Sequence, residues 1–240
     1  MIWRNKTVVG VLVAMLSGGD LYATKFKEIT VDDPFSNNTC PAAEILSYGS
    51  YIYNAASKFD GVFWPATEKS WLWLCPESGY SALGNDFGEL SDAEHVAIGE
   101  FLAQNYDPKK PPTDPISRLS WMEEIYRLRD KDAKFWAYFY RLQAYWHDRE
   151  KKPAAAMEYR RMALPLMKQL LRGLPAGQAR IQCLFLAGEY SRQLGDVEDA
   201  RQYFHDADNT VWVDDDGKKQ TGHPYFRKLI EGRMQLLQGQ

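Results

Sequence analysis

The sequence predicts a mainly α-helical protein that begins with a small β-rich head, and three observations lead to this prediction. Helix-start signals and helical spacing of apolar residues recur from Ser91 onward. The span 47–83 is instead rich in Trp, Tyr, Phe and Gly, and it contains a short apolar run typical of a strand. The first residues have the composition of a secretory signal. We therefore predict a signal at 1–23, a head at 24–90 and a helical domain at 91–240.

The composition is that of a globular protein with a substantial core. The chain has 240 residues, of which 45% are hydrophobic, and this is enough for one or two domains. Its formal net charge is −3. A nucleic-acid-binding protein needs a stripe of Lys and Arg to neutralise phosphates, and the sequence contains no such stripe. Nucleic acid is therefore excluded as the expected partner.

The amino terminus predicts export. Arg4 and Lys6 precede the apolar run "TVVGVLVAML", and a segment of small and polar residues ends at Ala23. The run is short for a membrane span, so we expect cleavage after Ala23, a periplasmic or secreted mature protein, and no stable membrane span afterwards. The alternative is an uncleaved segment that anchors the protein to the inner membrane.

The head shows strand patterns and the rest of the chain shows helix patterns. We expect one strand at "FKEITV" and a short buried strand at "SWLWLC". Ser91 and Glu94 form a predicted capping box, and a Pro-rich linker, "NYDPKKPPTDP", separates this helix from the next. Asp114 is expected to cap the second helix, with Pro115 at its first position. Further helices are predicted near 132–149, 153–172, 177–194, 196–208 and 224–238, with a loop or short hairpin at "VWVDDDGKKQTGH".

The span "LFLAGEYSRQLGDVEDARQYFHDA" has the pattern of a helical hairpin repeat. Gly188 stands where two helices would cross, Gly195 and Asp196 form the turn, and Ala200 and Phe204 follow on the second helix. This pattern resembles a tetratricopeptide repeat. The preceding span, "FWAYFYRLQAYWHDREKKPAAAMEYRRMA", resembles the family less closely, so the sequence indicates repeat-like hairpins rather than a regular array.

The resemblance implies a binding face, because stacked hairpins leave a concave surface that commonly binds protein segments. Polar and aromatic residues on the first helices of the hairpins are the expected contacts with a peptide or protein partner: Tyr138, Arg141, Tyr145 and Arg180. The alternative is a plain helical bundle without a groove.

Two Cys-Pro pairs in the head carry a second resemblance. Cys40-Pro41 and Cys75-Pro76 resemble the knuckles of a zinc ribbon, Cys-Pro-x-Cys…Cys-Pro-x-Cys-Gly-Tyr, found in an uncharacterised family of bacterial proteins that joins it to repeat-like helices. Ala43 and Ser78 stand where the second thiolate of each knuckle would be. The head is therefore expected to be a degenerate ribbon.

The resemblance implies a disulfide in place of a metal. Facing knuckles would bring Cys40 and Cys75 together, and an exported protein meets an oxidising environment in which such a pair would join. A structural zinc needs four ligands, so we expect no metal. The alternative is that both residues remain free, partly buried thiols. Cys183 lies on the apolar face of a helix and is expected to be a buried small hydrophobe.

The sequence contains no nucleophile motif, no phosphate-binding loop and no His-Glu-x-x-His, so we expect no catalytic residue and no cofactor. Two functions stay open. The first is an exported protein-interaction module, that is, a scaffold or adaptor. The second is an envelope glycan-binding or glycan-processing protein in which exposed Trp64, Trp71 or Trp73 would stack on sugars. An exposed row of tryptophans would favour the second function, and their burial beside a helical groove would favour the first.

Overall fold

The structure is a computed structural model that describes residues 25–47, 66–88 and 90–238. The predicted signal at 1–23 and Trp64 lie outside the described residues. The described part of the chain forms seven α-helices, preceded by two antiparallel strand pairs in the N-terminal region. A mainly helical fold with a small β-containing head is therefore confirmed.

The described part of the head contains two short antiparallel ribbons. Its strands are β1 (Lys25–Asp32), β2 (Thr39–Ser47), β3 (Leu72–Leu74) and β4 (Ser81–Leu83). β1 pairs with β2, with Val31 opposite Cys40, and β3 pairs with β4. The predicted strands at "FKEITV" and within "SWLWLC" correspond to β1 and β3.

The helices lie close to the predicted ranges. They are α1 (Asp92–Asn105), α2 (Pro115–Tyr126), α3 (Ala133–Arg149), α4 (Pro153–Gly173), α5 (Gln178–Leu194), α6 (Val197–Asn209) and α7 (Pro224–Leu236). Local signals set their starts: Ser91 and Glu94 form the capping box of α1, and the Asp114 side chain accepts from the backbone N–H groups of Ile116 and Ser117. The segment between α6 and α7 is a hairpin of β5 (Val211–Val213) and β6 (Lys219–Thr221).

Two helical hairpins dominate the packing. α3 packs chiefly on α4, α5 packs on α6, and α7 lies against α5 and α6. Gly188 allows α5 and α6 to approach closely, because a Cβ atom there would lie 2.7 Å from Cε1 of the fully buried Phe204. The turn between these helices has Gly195 in the left-handed region, with φ of 87°, which glycine adopts without strain.

The head and the helices share one hydrophobic core. Hydrogen bonds between side chains and backbone join the two parts: the Tyr126 hydroxyl accepts from Leu83 N at 2.9 Å, and Trp121 Nε1 donates to Gly79 O at 2.7 Å. The buried Arg129 guanidinium forms an ion pair with Asp86 at 3.1 Å. The head is thus held by packing and by polar contacts along its border with α2.

Among the described residues, no helix combines the length and the apolar character that crossing a lipid bilayer requires.

Candidate functional site

A groove of about 520 Å³ runs between α3, α4 and the start of α5. We call it the α3–α5 groove. It is lined by Asp132, Lys134, Phe135, Ala137, Tyr138, Arg141, Met167, Leu170, Leu174, Ala179, Gln182, Cys183 and Leu186. Its size is within the range of sites that hold small ligands or a few residues of a peptide.

The groove has an apolar floor and a basic rim. Met167 and Leu186 are buried in the floor, whereas Lys134 is exposed at the rim. Asp132 is the one acidic residue in the lining, and its Oδ1 already accepts from Phe135 N at 2.7 Å as the N-cap of α3. The arrangement suits a ligand that presents apolar groups together with a negative charge.

Three of the four predicted partner-binding residues lie in or beside this groove. Tyr138 and Arg141 line it, one turn apart on α3. Burial raises the pKa of the half-buried Tyr138 hydroxyl, so it stays protonated and can donate a hydrogen bond. Arg180 stands at the start of α5, where its Nη1 donates to Leu171 O at 2.6 Å and to Leu174 O at 2.9 Å. Arg180 therefore holds the end of α4 in place, and its guanidinium charge lies beside the groove.

Tyr145 does not reach the groove. It lies on the same face of α3 as Tyr138, but seven residues, or about 10 Å, further along the helix. There its side chain is buried against Trp146, and its hydroxyl accepts from Arg149 Nη1 at 3.3 Å. Arg149 also donates to Thr67 O at 3.0 Å, so a segment of the head covers this end of α3.

Cys183 is a free, buried thiol in the groove lining. Burial raises its pKa to about 11, against the opposing effect of the nearby guanidinium groups of Arg141 and Arg180. The thiol is therefore protonated at neutral pH and behaves as the predicted small hydrophobe. Cys183 therefore contributes to the apolar surface of the groove and is not a reactive thiolate.

The disulfide between Cys40 and Cys75 is present, with the two Cα atoms 4.7 Å apart. Cys40 lies within β2, whereas Cys75 begins a tight turn in which Gly79 N donates to Cys75 O at 2.9 Å. The two sulfur atoms and a carboxylate oxygen of Asp33 all lie within 4.8 Å of one another, and all three residues are buried. In the oxidised protein the S–S bond occupies both sulfur atoms, so this group does not supply a metal's ligands.

The two tryptophans that the structure describes in the head do not form an exposed row. Trp71 and Trp73 are half-buried and meet edge to face, with ring centroids 5.9 Å apart. Trp73 also packs against Phe87, at 5.3 Å. Gly84 fits between the two indoles, because a Cβ atom there would lie 2.9 Å from Trp73 and 3.0 Å from Trp71. Both rings therefore contribute to packing.

Two buried ionisable residues, His147 and Glu123, both contact Tyr159. His147 is buried and stacks on Tyr159, and burial lowers its pKa. Its neighbour Asp148 forms an ion pair with Arg160 on α4. The buried Glu123 carboxylate accepts from Tyr159 and from Gln143. Among the described residues that contact His147 or Glu123, there is no serine or cysteine nucleophile.

No family model, curated protein or solved structure shows a significant match to this chain. The site therefore rests on its own geometry.

Sequence reasoning missed Lys134 and Gln182, which line the groove. Lys134 precedes Tyr138 by four residues, so helical spacing from the predicted residues could have identified it. Asp33 carried no comparable signal, because its proximity to the cysteines depends on the folded chain.

Proposed function

We propose that this protein is an exported protein-interaction module that binds a peptide segment in the α3–α5 groove. The observation that carries the proposal is the groove itself, an apolar cleft between helical hairpins at the position of Tyr138 and Arg141. Helical hairpin stacks of the tetratricopeptide kind use such clefts to bind protein segments, and this chain resembles that family in the sequence of α5 and α6.

The chemistry of the lining defines the expected ligand. Apolar side chains such as Leu170 and Leu186 would contact apolar residues of the segment. The Lys134 and Arg141 charges would pair with a carboxylate, from an acidic side chain or from a chain terminus. We therefore expect the bound segment to be short, apolar and acidic.

Export is the second part of the proposal. The amino-terminal sequence has the order of a cleavable signal, and the Cys40–Cys75 disulfide fits an oxidising compartment such as the periplasm. N-terminal sequencing of the protein from its native host should find the chain beginning after Ala23. A chain that still begins at Met1 in the cytoplasm would contradict export, and an intact signal in the membrane fraction would favour the anchored alternative.

The groove is tested by capture of partners from envelope extract with matched variants of the mature protein. Arg141→Glu and Tyr138→Ala should weaken capture, because they remove the rim charge and a donor in the lining. Arg161→Glu is the control for Arg141→Glu, and Met162→Ala, which also truncates a large side chain, is the control for Tyr138→Ala. Both control residues are exposed on α4 outside the groove lining, so these variants should leave capture unchanged. Melting temperatures of all four variants show whether each remains folded. If captured partners are retained by both groove variants, the groove is not the binding site.

The half-burial of Trp71 and Trp73 argues against the glycan-binding alternative, because stacking on a sugar requires an exposed ring face.

A further inference from the structure

The disulfide lies beside a carboxylate that the sequence did not associate with it. Asp33 is only 5% exposed, and Cys40 and Cys75 are 1% and 0% exposed. One oxygen of Asp33 and the two sulfur atoms lie within 4.8 Å of one another. In the reduced state, two thiolates and a carboxylate converging from the β1–β2 hairpin and from the turn after β3 would be the donor set of a site for zinc or a similar divalent cation.

From this geometry we propose that the reduced protein binds a thiophilic divalent cation such as Zn²⁺ through Cys40, Cys75 and Asp33, and that the disulfide and the metal exclude one another. Three protein ligands leave a fourth position for water, which is the arrangement of open zinc sites. The state of the two cysteines thereby decides whether the head holds a covalent bond or a metal.

The two sulfur atoms can reach the separation that zinc requires. Tetrahedral zinc with Zn–S bonds of about 2.3 Å places two sulfur atoms roughly 3.8 Å apart. The two Cα atoms are 4.7 Å apart, so rotation of the cysteine side chains can separate the sulfur atoms by that distance without moving the strands.

The Asp33 carboxylate is already oriented by its neighbours. Its Oδ1 accepts from Phe35 N at 2.9 Å and from Ser78 Oγ at 2.9 Å, and its Oδ2 accepts from Ser36 Oγ at 2.8 Å. Hydrogen bonds of this kind hold the ligands of metal sites in place. Ser78, which stands where the zinc-ribbon pattern has a thiolate, thus contacts the carboxylate that provides the third ligand.

A cavity lies next to the proposed site. A cavity of about 320 Å³ is lined in part by Phe35, Ser78 and the exposed Glu77. Ser78 separates this cavity from Asp33, to which its hydroxyl donates a hydrogen bond at 2.9 Å, and the Glu77 carboxylate in the lining would attract cations to this side of the head.

The redox step balances with a dithiol reductant. Two electrons and two protons pass from the dithiol to the Cys40–Cys75 bond, which breaks to give two thiols while the dithiol becomes a disulfide. Binding of M²⁺ then releases the two thiol protons to solvent, because the thiolates are the ligands. In the reverse direction a disulfide oxidant accepts the two electrons from the thiolates and two protons from solvent and becomes a dithiol, while the Cys40–Cys75 bond forms again and the cation is released.

The experiment uses the mature protein with Cys183→Ser, which leaves only the two cysteines of the site. The protein is reduced with a phosphine, freed of metal and titrated with Co²⁺, then with Zn²⁺ as competitor. We expect one Co²⁺ per chain with sulfur-to-cobalt charge-transfer absorption, and none in the oxidised protein. Asp33→Asn should weaken Co²⁺ binding by at least about 100-fold, since loss of a direct ligand exceeds the effect of losing a group that only orients one.

Asp32→Asn is the matched control, because Asp32 is the exposed neighbour of Asp33, and its binding should equal that of the parent. Ser78→Cys supplies a further thiolate and should tighten binding, and this variant leaves Asp33 intact. The proposal is overturned if the reduced protein shows no charge-transfer absorption, if Asp33→Asn binds as tightly as Asp32→Asn, or if Ser78→Cys changes nothing. If reduction unfolds the chain, addition of Zn²⁺ must restore the helical circular-dichroism signal, and its failure to do so also overturns the proposal.

Discussion

Substitution of Gly188 by Ala tests the close crossing of α5 and α6. A Cβ atom at this position would lie 2.7 Å from Cε1 and 2.8 Å from Cδ1 of Phe204, below any normal carbon contact. Phe204 is fully buried and lies beside Phe185, with ring centroids 5.9 Å apart, so its ring cannot move into open space. Overpacking of this kind costs about 1–3 kcal/mol. Alanine recovers about 1 kcal/mol through its higher helix propensity, so we expect a net loss of about 1 kcal/mol.

Gly232→Ala is the control for the stability that alanine gains over glycine through its higher helix propensity. Gly232 lies inside α7, and a Cβ atom there would meet nothing within 4 Å. This variant should therefore gain about 0.5–1 kcal/mol, the opposite sign from Gly188→Ala. Urea unfolding followed by circular dichroism measures both, and the loss corresponds to a melting temperature about 2–4 °C lower for a chain of this size.

The Phe204→Leu background isolates the contact. Once the ring is removed, Gly188→Ala should no longer destabilise the protein, and the two substitutions should be coupled by at least about 0.5 kcal/mol. The close crossing is wrong if Gly188→Ala stabilises the protein as much as Gly232→Ala does, or if its effect is the same with and without the Phe204 ring.

Three further predictions concern bonds and charges in the core. Replacement of both Cys40 and Cys75 by Ala should lower the free energy of unfolding by about 3.8 kcal/mol in the chain-entropy model, given their sequence separation of 35, as measured by urea unfolding against the oxidised parent. Arg129→Met should cost about 2 kcal/mol in the same assay, because it removes buried charged hydrogen bonds to Asp86 and leaves the carboxylate with the Lys131 ammonium at 2.7 Å, and a loss below about 0.5 kcal/mol would contradict this. Burial lowers the folded pKa of His147 below its usual 6.5, so the unfolded chain binds that proton more tightly and stability should fall as the pH drops below about 6.5. His147→Gln should remove this part of the pH dependence, and an unchanged profile would contradict the assignment.

The helices could be predicted because their signals are local. The capping box of Ser91 and Glu94, the cap at Asp114 and the glycine turn at Gly195 each depend on residues within a few positions of one another. Tyr138 and Arg141, which were predicted to bind a partner from the repeat resemblance, line the α3–α5 groove, and their role in binding stays a prediction. Tyr145 lies on the same face of α3, but whether it is exposed depends on a segment 78 positions earlier in the chain, at Thr67.

The sequence alone determined which segments are helical, where they begin and end, and that two cysteines share a context in which they can pair. Short-range hydrogen bonds and side-chain periodicity within consecutive residues decide the helices. The cysteine pairing was instead expected from the resemblance of the two Cys-Pro knuckles to a zinc ribbon and from the predicted export. Only the tertiary structure decided that α3, α4 and α5 enclose a groove and that Asp33 lies against the disulfide. Both arrangements bring together residues that are distant in the chain. Their separation in space is fixed by the packing of the shared core, and no local sequence pattern encodes that packing.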